Sequence, residues 1–106
     1  MAAFYVETKV IDKHIDVLAQ KIRDIATFRP KMTFTGEKAI EGGCEMTAKT
    51  GFSMTSYGER MTITMKYLNA QQTEVKVFSK SAMPTVILDF GQNSENVGFI
   101  FFWLNK

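Results

Sequence analysis

The chain has one cysteine, one histidine, one tryptophan, two prolines and no apolar run long enough for a membrane helix. A lone thiol, Cys44, makes no intrachain disulfide, and without a CxxC or Cys/His spacing there is no zinc framework. The reducing cytoplasm is the expected compartment. The greasiest stretch, Val97 to Leu104, falls far short of the ~20 residues that cross a bilayer. The start "MAAFYVETKV" lacks the basic-then-apolar order of a secretory signal. No GxGxxG, GxxxxGK[ST] or HExxH occurs, so no cofactor and no metal are expected.

Charge of one sign is also missing. Thirteen Lys and Arg stand against eleven Asp and Glu, for a net charge of +2. They interleave along the whole chain, as on an ordinary solvated surface, and no nucleic-acid partner is expected. With 45% hydrophobic and 23% charged residues over 106 positions, the chain suits one globular domain, residues 1–106, with its own core.

What is present is periodicity. From Phe4 to Ile11, Phe4, Val6 and Val10 alternate with Tyr5, Glu7 and Lys9, which predicts a strand with one wet face. Asp12 is a candidate N-cap for an amphipathic helix over 13–27, with Ile15, Leu18, Ile22 and Ile25 on its apolar stripe. Pro30 closes that connection. From Lys31 the period becomes 2, starting with Met32, Phe34 and Ile40 on one side, in runs separated by Gly42-Gly43, "SYGE" and "NAQQ", which predicts a four-strand antiparallel meander. Residues 84–90 are expected as a helical turn or edge segment, because Pro84 has no N–H for a ladder. A last helix follows from about Ser94 to Leu104. The order β-α-β-β-β-β-α implies an α+β two-layer sandwich, a five-stranded antiparallel sheet with two helices on one face.

Catalytic chemistry is not evident. His14 stands alone on the first turn of the predicted helix, and Cys44 falls on the dry face of a strand, where a thiol behaves as a small hydrophobe. Asp89, Asn93 and Asn96 gather polar groups around Gly91 and mark a possible polar loop site, although Asx-turns and helix caps account for the same residues. Met32, Met46, Met54, Met61 and Met65 all point to the dry face, where adaptable thioethers would line a site for a small apolar ligand. The wet face carries Thr, Lys and Glu, with Tyr5 and Phe78 as its rings, and no aromatic ladder for stacking bases.

The strongest functional signal is the tail, "VGFIFFWLNK". On a helix, Val97, Ile100, Phe101 and Leu104 share one arc of about 100° and suffice to cover the sheet. Phe99, Phe102 and Trp103 then fall on the far side. Large apolar side chains are worth ~1.5–3 kcal/mol each when buried, so three are not expected to stay wet. Either they pack under the first helix or the 84–90 segment, or they form an interface. The leading reading is a non-enzymatic domain that associates through this helix with itself or with another protein, most simply as a homodimer. A carrier of a small apolar ligand is the alternative. A membrane surface fits less well, since Lys106 alone makes a poor basic face.

The segment "MPTVILDFGQNSENV" resembles a pattern found in small uncharacterised bacterial α+β proteins, through Pro84-Thr85, Asp89-Phe90-Gly91, Asn93 and Asn96-Val97. The resemblance implies a TATA-binding-protein-like or helix-grip-like fold and carries no activity with it. The aromatic ending departs from the pattern, which expects more charge there.

Overall fold

The protein is described by a computed structural model over residues 3–51, 58–82 and 91–106. Its elements are β1 (Phe4–Ile11), α1 (Ile15–Arg23), α2 (Ile25–Phe28), β2 (Met32–Ile40), β3 (Gly43–Thr50), β4 (Glu59–Asn69), β5 (Gln72–Ser81) and α3 (Gln92–Leu104). The strands form one antiparallel sheet in the order β1-β5-β4-β3-β2. The chain thus returns from β1 at one edge, through α1 and α2, to β2 at the other. The helices cover one face, and the predicted α+β sandwich is what the residues build.

The core lies between the layers. Leu18 and Ile22 from α1, Ile25 from α2, and Val97, Ile100, Phe101 and Leu104 from α3 meet Met32, Met46, Met61, Ile63, Met65, Val75 and Val77 from the sheet, all buried. The four α3 residues expected to face the sheet do so.

Four local expectations need correcting. The helix cap is His14, whose Nδ1 accepts the Asp16 N–H at 3.0 Å, while Asp12 instead accepts from Gln72 Nε2. The single helix over 13–27 is broken at Asp24 into α1 and a one-turn α2. In β1 the faces are reversed. Buried Ile11 pairs with buried Thr73, and the two-residue period then puts Lys9, Glu7 and Tyr5 on the helix side and Val10, Val6 and Phe4 on the open face. In β2 a register shift between Phe34 and Gly36 has the same effect, so Ile40 lies on the open face and Glu37 on the helix side.

Both departures fall on edge strands. Inward charges on β1 and a bulge on β2 are devices that discourage pairing with a foreign strand. The turn between β2 and β3 uses Gly42 at φ 78°. Gly43 is already in the strand, where an added Cβ would lie 1.8 Å from the Met65 carbonyl oxygen. The expected 84–90 segment, and the "SYGE" turn up to Tyr57, lie outside the described residues.

Candidate functional site

α3 sits over β1 and β5, so its outward side meets α1 and α2 rather than the sheet. Phe99 and Trp103, one turn apart, both face Phe28 from the end of α2. The Phe28 ring stacks on Trp103 at 4.4 Å between centroids and on Phe99 at 5.3 Å, and lies 6.5 Å from Phe102. The Trp103 Nε1–H donates to the Lys21 carbonyl at 2.8 Å, which satisfies the indole and ties α3 to α1. The three rings of the tail therefore divide. Phe99 and Trp103 are half-buried by intramolecular packing, whereas Phe102 remains 53% exposed and Phe28 40% exposed.

Cations border this cluster. Lys21 Nζ lies 4.3 Å from the Trp103 ring, Arg29 4.6 Å from Phe99, and Lys106 5.0 Å from Phe102 and 5.4 Å from Phe28. Each is close enough for attraction to the ring quadrupole. Partial burial, with Lys13 and Lys106 nearby, holds the Lys21 amine below its ordinary pKa. The tertiary structure thus adds Lys21 and Arg29 to the one cation, Lys106, visible beside the aromatic tail. Phe28, too, was outside the sequence reading. Its only signal was an aromatic at the end of the helical period, just before Arg29 and Pro30.

The polar residues near Gly91 play a different part. Asn93 and Asn96 are fully buried in the first turns of α3. Asn93 accepts from Ser79 Oγ at 2.7 Å and donates to Ser81 Oγ and to the Ala3 carbonyl. Asn96 donates to Glu59 Oε1 at 3.0 Å and to Ser79 Oγ at 3.3 Å. Glu59, itself only 3% exposed, also accepts from Thr50 Oγ1. Two asparagines thus tie α3 to β4 and β5. A cleft of about 210 Å³ opens beside them, lined by Arg29, Lys31, Thr50, Glu59, Glu95 and Asn96. Asp89 lies outside the described residues. Glu59 and Thr50 went unnoticed because nothing in a sequence marks one acidic residue among eleven as buried.

Met32, Met46, Met61 and Met65 are fully buried among the core side chains; Met54 lies outside the described residues. A ligand between sheet and helices would have to displace this packing. His14 caps α1, and Cys44 is half-buried, its thiol pushed up by desolvation and by Glu37. Among the described residues no group of three acidic, His or Cys side chains is placed to hold a metal ion, and no helix is long and apolar enough to cross a membrane.

The architecture has counterparts. The chain superposes on the conserved protein of unknown function EF2215 from Enterococcus faecalis with a TM-score of 0.58 at 8% identity, over 98% of this chain and 70% of that one. It superposes on Ara h 8.0201 with a TM-score of 0.53 at 9% identity, over 99% and 96% respectively. The fold is helix-grip-like. No family model matches the chain, and no curated protein matches it in sequence. At such identities the helix-grip likeness concerns architecture alone.

Proposed function

We propose that this chain is a contact module, and that two copies associate through the aromatic face of α2 and α3. The observation that carries this reading is Phe102, 53% exposed on top of a ring cluster whose other members are already stacked. A rigid cluster needs little ordering when a partner covers it, so most of the burial counts toward affinity.

An aromatic side chain buries ~150–250 Å². Half of that at ~25 cal/mol per Å² is roughly 2.5 kcal/mol, and a two-fold interface doubles it to about 5 kcal/mol. Set against the cost of association, this describes a weak, concentration-dependent dimer. Lys21, Arg29 and Lys106 at the rim would face their own copies, so added salt is expected to tighten the dimer by screening that repulsion.

Sedimentation velocity across protein concentration, at low and high NaCl, tests this on the native chain and on Phe102→Glu. The native chain should shift toward a dimer as concentration and salt rise, and the variant should stay monomeric with unchanged far-UV circular dichroism. A native chain that remains monomeric up to millimolar concentration in high salt would remove the proposal.

A further inference from the structure

The face of the sheet away from the helices carries a charge arrangement that the sequence conceals. In register across three adjacent strands, Lys49 of β3 stands opposite Arg60 of β4, and Arg60 opposite Lys80 of β5. All three are exposed, and none makes an ion pair with a described residue. Like charges directly opposite one another on neighbouring strands are destabilising. A row of three across strands spaced ~4.8 Å apart is therefore a cost that no ion pair among the described residues offsets.

Neither of the face's carboxylates on the described strands, Glu45 and Glu74, forms an ion pair with the row. Glu45 pairs with Lys38 at 3.6 Å, and Glu74 stands opposite Lys66 in the β4–β5 register. Lys49, Arg60, Lys80 and Lys76 make no ion pair with a described residue. The row runs across the strands and ends at β1, where Lys80 stands opposite Phe4. There the Phe4 ring, 50% exposed, lies 5.7 Å from that of Phe78, on the same open face. Inboard of the row, Thr35, Thr47 and Thr62 border a shallow cleft of about 340 Å³ that also touches Lys49 and Arg60.

We propose that this open face binds single-stranded nucleic acid, its phosphates along the Lys49–Arg60–Lys80 row and a base on the Phe4–Phe78 pair. A linear track of cations matches a linear polyanion better than a point anion, and exposed rings at its end offer stacking surface that every unpaired base can use. A duplex keeps its base faces covered, so the rings would gain nothing from it. The site is independent of the helix face and lies on the other side of the sheet. It runs against the expectation drawn from interleaved charge, because pairing across strands gathers residues that are far apart in the chain.

Fluorescence anisotropy of fluorescein-labelled oligo(dT), titrated with the whole protein over a series of NaCl concentrations, tests this. Three phosphate contacts predict a slope of log K against log[NaCl] of about −2.1, at ~0.7 per contact on a single strand. Lys49→Gln and Lys80→Gln should each flatten the slope by ~0.7. Phe4→Ala should weaken binding roughly 5- to 150-fold, the worth of one stacked base, while leaving the slope unchanged. Urea midpoints of the variants, if unchanged, exclude misfolding as the cause. Absence of binding to oligo(dT) at low salt overturns the proposal. So does equal affinity for a duplex of the same length, or for heparin, with no effect of Phe4→Ala. Binding to phosphatidylglycerol vesicles without binding to the oligonucleotide also overturns it, in favour of a lipid surface.

Discussion

The hydrogen bond from Asn96 to Glu59 is expected to be among the most valuable in the molecule, because both groups are out of water and one is a carboxylate. Asn96 is fully buried and Glu59 only 3% exposed, with 3.0 Å between Nδ2 and Oε1. A hydrogen bond to a charged group contributes ~1.5–3 kcal/mol, and the second Asn96 bond, to Ser79 Oγ, about 1 kcal/mol more. Asn96→Ala should therefore cost ~2.5–4 kcal/mol, against the ~5–15 kcal/mol that holds a domain of this size together. Asn96→Asp should cost more at pH 7, since it sets a second carboxylate against the first. Urea denaturation gives the assay, with a fall in midpoint at constant m-value as the expected signature. Combining Asn96→Ala with Glu59→Ala closes a double-mutant cycle whose coupling should be ~1.5–3 kcal/mol. A coupling under ~0.5 kcal/mol would mean that the carboxylate does not depend on Asn96 and would refute the reasoning.

Two further expectations concern the backbone and acid stability. Gly43→Ala drives a methyl to 1.8 Å from the Met65 carbonyl oxygen, so the β3–β4 pairing must open there, whereas Gly98→Ala, with nothing within 4 Å, should gain ~0.5–1 kcal/mol from helix propensity alone. Thermal melts of the two variants should move in opposite directions, and a Gly43→Ala protein as stable as the native one would show the strands to be looser than described. The Arg23 guanidinium, donating to Glu37 through Nε and Nη2 at 2.7 and 2.8 Å, holds that carboxyl below the ordinary glutamate range. A depressed folded-state value means stability that is present above the unfolded value and lost as pH falls through the folded one. The difference in melting temperature between the native chain and Glu37→Gln should accordingly be visible at neutral pH and vanish in acid. A difference that persists at low pH would assign it to packing.

The helical and meander periods were legible because each repeats over several residues with the same partner layer. What escaped was the choice between two equivalent faces. Phe4, Val6 and Val10 alternate as cleanly as any strand in the chain, yet alternation alone does not say which side meets the helices. That is decided by the register of Ile11 against Thr73, a long-range pairing with no local signature. The bulge after Phe34 has the same character: one extra residue sends Ile40 to the open face and Glu37 toward Arg23. For the tail, the four sheet-facing residues followed from helical geometry. The division among Phe99, Phe102 and Trp103 depended on Phe28, which is brought into place by the break at Asp24.

If both proposed contacts form, the two faces of the sandwich should respond to salt with opposite sign, and the difference follows from what each holds. On the helix side the gain comes from apolar area, and the cations Lys21, Arg29 and Lys106 already rest on rings of their own chain. Bringing two such surfaces together concentrates like charge, which screening relieves as the Debye length falls from ~10 Å at 0.1 M to ~3 Å at 1 M. On the open face Lys49, Arg60 and Lys80 make no ion pair or cation–ring contact with a described residue, so the gain lies in releasing counterions from a polyanion, and salt opposes it. Interleaved charge in the sequence is compatible with either outcome. In a strand, cations that alternate with buried apolar residues end on one face by necessity, and the antiparallel register then sets them side by side.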